Sequence, residues 1–328
     1  MAEMSLLEAL RSGLDEAMAA DERVFIFGED VGRRGGVFRV TDGLIDKYGP
    51  YRVMDAPLAE SIIVGASIGA ACYGLRPVAE IQFADFIWPA TNQIVSEAAR
   101  MRYRSNGEWN VPMVVRAPYG GGIHGALYHS QSVEAFFAHV PGLKVVAPAT
   151  PYDVKGMIKS AIADPDPVIF FEHKKTYRLI KGEVPEGDYT VPIGVADVKR
   201  TGDAITIITY GLMLHYALEA ATQLAQSAGI EAEVVDLRTI RPLDTETILA
   251  SVRKTGKALI VHEDNLTGGI GGEISALIAE HAFEYLDGPV ARLAGPEIPA
   301  MPFASSLEHA FMPTPERILQ KLRELVAY

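Results

Sequence analysis

Short apolar runs alternate with amphipathic stretches along almost the whole chain, and this alternation constrains the fold more than any single motif does. Residues 24–27, 78–83, 113–115, 144–146 and 168–171 read as buried strands, with helical stretches between them. Strands that are apolar on both faces and joined by helical crossovers form a largely parallel sheet covered on both sides. The expected fold class is therefore α/β. Ser5 followed by Glu8 has the pattern of a capping box, and Leu6, Leu7, Leu10 and Leu14 recur at helical spacing toward Ala20, so a helix opens the chain.

A chain of 328 residues is long for one core and favours two domains of roughly 150 residues each. Around residues 181–194 the texture changes to KGEVPEGDYTVPIG, which breaks periodicity and suits an exposed connection. The expected division is a first domain over 1–185, a linker over 186–200 and a second α/β domain over 201–328. In the latter, strands at 205–210, 232–236 and 258–262 alternate with helices at 214–227 and after Asp244. Thr314, Pro315 and Glu316 make an N-cap, N1 residue and first-turn acid for a closing helix carrying Ile318, Leu322 and Leu325. A net charge of -12 argues against nucleic acid as a partner. The single cysteine, Cys72, excludes an intrachain disulfide and fits a reducing compartment. The first residues lack a basic segment followed by an apolar run, and no apolar run approaches a membrane span, so a cytoplasmic protein without membrane association is expected.

Three constellations invite chemistry. In MDAPLAESIIVGASIGAACYG (54–74), Glu60 is a lone carboxylate opening a helix of apolar and small residues. Small residues at Gly65, Ala66, Gly69 and Ala70 allow close backbone approach, so the helix should be buried on most sides and Glu60 should sit where water is scarce, a setting for proton transfer. The plainer alternative is a solvated first-turn acid interacting with the helix dipole. In YGGGIHGALYHSQS, a glycine-rich loop leaving a strand carries His124 and His129. No third ligand at a recognised spacing accompanies them, so acid-base or substrate contact is preferred over zinc, with simple loop hydrogen bonding as the alternative. TGGIGG (267–272) has Ile274 where a dinucleotide fingerprint needs glycine, and reads as tight strand-to-helix packing. The basic stretch His173, Lys174, Lys175, Arg178 and Lys181 reads as a solvated face.

Taken together, FGEDVGRRGGVFRVTDGL (27–44), RVMDAPLAES (52–61), RPVAEIQFADF (76–86), HGALYHSQSVEAFFAHVPGLKVV (124–146) and DLRTIRPLD (236–244) resemble the beta subunit of the decarboxylating component of 2-oxo acid dehydrogenase complexes. The resemblance spans the chain in order, and is nearest to branched-chain members, with pyruvate and acetoin enzymes as alternatives and a noncatalytic scaffold subunit as the rival of another class. It implies a transketolase-like pyrimidine-binding domain followed by a transketolase C-terminal-like domain. It also implies thiamine diphosphate shared with an alpha subunit in an alpha-two beta-two tetramer, with the C-terminal region docking a dihydrolipoyl acyltransferase and its lipoyl domain. By the same resemblance Glu60 contacts the pyrimidine N1′ and Phe86 packs on that ring, with Gln82, Leu58 and Glu29 in the cofactor pocket. His129 would stand at the mouth of the site, with His124 the weaker candidate, and backbone oxygens around Ala161, Asp164 and Asp166 would align with a structural potassium site of some relatives, although Asp166 departs from the Asn found there. Magnesium would be held by the alpha subunit, because this chain has no Gly-Asp-Gly: Gly202 and Asp203 precede Ala204, and no Asn lies between Asn110 and Asn265.

Overall fold

The computed structural model describes residues 1–328, which form two compact units: Met1–Tyr119 with Phe136–Ile193, and Gly120–Ala135 with Gly194–Tyr328. In the first unit, β1 (Ala2–Ser5) pairs antiparallel with β8 (Lys181–Val184). Six further strands, β2 (Val24–Gly28), β3 (Val53–Asp55), β4 (Arg76–Glu80), β5 (Val114–Tyr119), β6 (Lys144–Val146) and β7 (Val168–His173), form a parallel sheet in the order β6-β7-β5-β4-β2-β3. Almost every strand residue is buried, which is why the strands read as unbroken apolar runs.

Helix α1 (Leu6–Ala20) starts at the capping box, Ser5 accepting from the Glu8 amide while Glu8 reaches back to Ser5. Its Leu6, Leu10, Leu14 and Met18 are fully buried, at roughly 2 kcal/mol each as an upper bound. Gly13 lets α1 lie close on α3 (Pro151–Ala163), since a Cβ there would stand 2.5 Å from Ile158 Cγ2.

The second unit holds a five-stranded sheet in the order β14-β13-β10-β11-β9. Its members are β9 (Asp197–Arg200), β10 (Ile205–Thr209), β11 (Ala232–Asp236), β13 (Ala258–Asn265) and β14 (Ala291–Gly295), while β12 is the short Thr239–Arg241. All pairs are parallel except β9 with β11. The helices at Leu212–Ala228 and Thr245–Thr255 lie where the pattern put them, the latter capped by Asp244, and Pro315–Val326 is capped by Thr314.

The linker expected over 186–200 is corrected. Residues up to Ile193 belong to the first unit, where Val191 is core and Tyr189 stacks on Tyr152 with centroids 4.8 Å apart. Asp197–Arg200 is strand β9 of the second unit. Glycine, proline and acidic residues mark chain reversals here without marking a free connection. No helix is long and apolar enough to cross a membrane.

Candidate active site at the strand ends

In a parallel sheet the chain leaves every strand at the same edge, and the loops there are where ligands bind. Strands β3, β2 and β4 are adjacent, and their carboxyl ends lead into Leu58 and Glu60, into Glu29, and into Gln82 and Phe86 respectively. Five of the candidate residues are thus brought to one edge by topology alone. The strand expected over 78–83 stops at Glu80, and the chain then turns through Ala84–Phe86, which puts Gln82 and Phe86 beyond the sheet.

The β2 loop is tightly built. A Cβ on Gly28 would lie 2.6 Å from the Glu80 carbonyl, so only glycine fits where β2 meets β4. Asp30 adopts φ +57°, the left-handed region. The Gly32 amide donates to Asp55 Oδ1 at 2.6 Å, and the buried Thr41 hydroxyl donates to the Val31 carbonyl at 2.7 Å. Glu29, at the root of this loop, has its carboxyl pushed up by burial, then by the charge of Glu60, then by that of Asp30. The charge of Glu60 is therefore felt at Glu29.

Glu60 is the first residue of α2 (Glu60–Cys72), with no side-chain cap at Ala59. The expectation that this helix is buried on most sides is corrected. Ile63, Val64, Ser67, Ile68 and Ala71 are buried, but Ile62, Ala66 and Gly69 line an open face, and Glu60 itself is half-exposed. The chain by itself does not exclude water from Glu60. Leu58, 81% exposed, presents bare apolar surface beside it in sequence. Phe86 is half-buried and meets Phe83 edge-on at 5.7 Å.

His124 and His129 lie on the loop after β5, the strand next to β4. Residues 120–135 cluster with the second unit. His124 (φ +58°) and Ala126 (φ +57°) are both left-handed.

The residues proposed for potassium lie at the opposite edge of the sheet, at the end of α3. Arg76 Nη1 donates to the Ile162 carbonyl at 2.6 Å and toward that of Asp164 at 3.4 Å. Lys144 Nζ is 2.5 Å from the Asp164 carboxylate, and Arg102 Nε is 2.5 Å from that of Asp166. Two other readings resolve here. His173 and Lys174 of the basic stretch are buried, Lys174 lying over the Phe83 ring at 5.6 Å, so a wholly solvated face is corrected. TGGIGG is tight packing as expected, because a Cβ on Gly269 or Gly271 would meet the His262 ring at 2.6 Å.

One network escaped sequence reasoning. Arg116, fully buried in β5, donates to Glu80 Oε2 at 2.5 Å and to both oxygens of Glu172 at 2.6 Å, and Tyr177 donates to Glu172. Burial pushes the Glu80 carboxyl up despite Arg116. The signal was present as charged residues inside the otherwise apolar strands RPVAE, VVRAPY and VIFFEH.

Models of known families match both units: the transketolase pyrimidine binding domain over residues 2–180 and the transketolase C-terminal domain over 194–318. The chain is 60% identical to the 2-oxoisovalerate dehydrogenase subunit beta of Bacillus subtilis (strain 168), over 100% of both chains. This chain belongs to the 2-oxo acid dehydrogenase beta-subunit family. Within that family it is 46% identical to the 2-oxoisovalerate dehydrogenase subunit beta of Pseudomonas aeruginosa, over 96% of this chain and 93% of that one. It is 47% identical to the pyruvate dehydrogenase E1 component subunit beta of Bacillus subtilis, over 100% of both. Among solved structures, a split-gene transketolase described as an inactive beta4 tetramer shares the fold, with TM-score 0.79 and 23% identity over 99% of this chain and 98% of that one.

Proposed function

We propose that this chain is the beta half of a thiamine-diphosphate-dependent enzyme that oxidatively decarboxylates branched-chain 2-oxo acids such as 3-methyl-2-oxobutanoate and acylates a lipoyl-lysine. The observation that carries the proposal is Glu60 at the strand-end edge it shares with Glu29, Gln82 and Phe86, two residues after the exposed apolar Leu58. A carboxylate beside apolar surface suits a flat heterocycle with a protonatable nitrogen. The branched-chain preference rests on 60% identity to a 2-oxoisovalerate subunit against 47% to a pyruvate subunit.

The cofactor, when bound, supplies an acidic ring carbon that adds to the 2-oxo carbon and takes the electron pair released with carbon dioxide. Glu60 exchanges a proton with the pyrimidine N1′, general acid-base work worth about 10²–10⁴-fold. Glu29 holds a proton more readily than an ordinary carboxylate because of its burial and then the charge of Glu60. Leu58 and Phe86 give the ring its apolar seat, and Gln82 its polar contact. His129 delivers a proton to the lipoyl dithiolane or orients the acyl group for transfer.

Magnesium and the diphosphate fall to an alpha subunit in an alpha-two beta-two tetramer, since the Gly-Asp-Gly motif is missing from this chain. The C-terminal unit is the proposed dock for the dihydrolipoyl acyltransferase. The cytoplasm is the proposed compartment, supported by the lone cysteine. Potassium fits poorly at Ala161, Asp164 and Asp166: Arg76 already donates to the neighbouring carbonyls, and Lys144 and Arg102 neutralise both carboxylates. No step is assigned to that ion.

Co-expression with the alpha subunit tests the reading. Activity on 3-methyl-2-oxobutanoate only in the complex supports it; activity of the beta chain alone, or a strong preference for pyruvate, overturns it. Glu60→Gln separates catalysis from scaffolding, because a scaffold subunit would keep full turnover.

A further inference from the structure

The turn between β5 and His129 is rich in glycine, closed by the Gly120 amide donating to the Gln131 carbonyl at 3.0 Å and by the Gln131 side-chain amide donating to the Leu127 carbonyl at 3.2 Å. Gly120, Gly121, Gly122 and Gly125 supply no side chains to anchor it. Gly120 and Gly122 are left-handed, as are His124 and Ala126, for which that conformation is costly. Such a loop keeps one shape only when its surroundings over-determine it.

Two buried carboxylates of the same unit do so. Glu263, in β13 and 4% exposed, accepts the Gly121 amide at 2.5 Å and lies 3.4 Å from the Ser132 hydroxyl. Glu308, in the short helix Ser305–Phe311 and 3% exposed, accepts the amides of Gly122 at 2.8 Å and His124 at 3.1 Å on Oε1. Its Oε2 stands 2.7 Å from His124 Nδ1, so both oxygens are spent on one turn. Hydrogen bonds from peptide amides to a carboxylate are short and roughly twice as strong as neutral ones. Gly121 is closely covered as well, a Cβ there standing 2.5 Å from the Met301 methyl and 3.4 Å from Glu263 Oε1. The same turn bears directly on His129: a Cβ on Gly125 would lie 2.5 Å from the His129 carbonyl and 2.9 Å from its Cβ.

We propose that Glu308, assisted by Glu263, is a positioning residue for acyl transfer, fixing the strained turn whose far end presents His129. This rests on the role given to His129 above. Glu308 is buried against the turn and acts through Gly122, His124 and Gly125.

The test uses the assembled alpha-two beta-two enzyme and compares two turnovers, acylation of an isolated lipoyl domain and oxidation of the same 2-oxo acid by a dye acceptor. Glu308→Leu is expected to lower the ratio of lipoyl to dye turnover by roughly 10–100-fold, the scale of an ångström-level misplacement. It should also speed hydrogen exchange at the Gly122 and His124 amides. Glu308→Gln keeps an acceptor oxygen and should recover most of both. If Glu308→Leu does not assemble, Glu308→Asp, which withdraws the carboxylate by one methylene, should give an intermediate ratio. A wild-type ratio in either variant, with His129→Ala impaired in transfer, overturns the positioning role alone. Intact transfer in His129→Ala would instead remove the role given to His129, and the exchange measurement would still decide whether Glu308 holds the turn.

Discussion

Replacing Arg116 by leucine is the sharpest perturbation the first unit offers. The wild-type network places one guanidinium between two carboxylates at 2.5 and 2.6 Å, all of it out of contact with water. Without Arg116, Glu80 and Glu172 become buried charges with no cation, and breaking such a pair costs about 3–5 kcal/mol. The loss has a ceiling, because each carboxylate can instead take up a proton. From an ordinary value near 4.3, protonation at pH 7.5 costs about 4 kcal/mol per group at ~1.4 kcal/mol per pH unit. Glu80 is the easier to protonate, since burial already pushes its carboxyl up. Arg116→Leu should therefore destabilise the first unit by about 4 kcal/mol at pH 7.5, or about 8–16 °C in melting temperature. The deficit should shrink by at least ~1.4 kcal/mol for each unit that pH is lowered toward 5.5, as the variant binds the extra proton. Urea unfolding of the chain at pH 7.5, 6.5 and 5.5 measures both. A deficit below about 1 kcal/mol, or one independent of pH, would refute the account. Adding Glu80→Leu and Glu172→Leu should restore most of the stability, because an apolar replacement leaves no charge stranded.

Three further outcomes are expected. Gly142→Ala should cost at least ~3 kcal/mol, because φ is +96° there and a Cβ would lie 2.0 Å from the Ala99 carbonyl; a melting temperature within 2 °C of wild type, a shift worth only about 1 kcal/mol, would contradict the geometry. Asp264 has its carboxyl pushed up to about 6 by burial and by Glu263, against amide donors Asn265 and Ala135 that pull it down, and its charge is felt by the buried Glu134, which accepts from the Tyr210 hydroxyl. The folded state thus holds a proton the unfolded chain has released, so this contribution to stability is full below about pH 4 and lost as pH rises through about 6; Asp264→Asn should flatten that fall, and an unchanged pH profile would count against it. Exchanging sodium for potassium chloride at equal ionic strength should leave the melting temperature unmoved, since Arg76, Lys144 and Arg102 already occupy the oxygens around Asp164; a potassium-specific rise would show that an ion displaces Arg76.

What the sequence made legible follows from what has a period. Buried parallel strands are apolar on both faces, so β2, β5, β6 and β7 stood out, and capping pairs such as Ser5 with Glu8 fixed helix starts to the residue. Once the strand order is known, Glu29, Glu60, Gln82 and Phe86 fall at one edge without further assumption, because every parallel strand discharges there. The illegible parts depend on pairings between distant residues. Glu80, Arg116 and Glu172 are each a charge in an otherwise apolar run, and only the adjacency of β4, β5 and β7 turns three apparent faults into one satisfied network. Glu308 and Gly122 are separated by 186 positions, and no local pattern could have joined them. The misjudged helix at Glu60 has the same origin in reverse: its small residues foretell a close neighbour, yet Gly69 faces open space in this chain. A helix apolar on all sides with one face uncovered is half of a packing interaction. On the reading proposed above, the surface that dries Glu60 arrives with the partner subunit, so the acid-base group and the water exclusion it needs are encoded in two different chains.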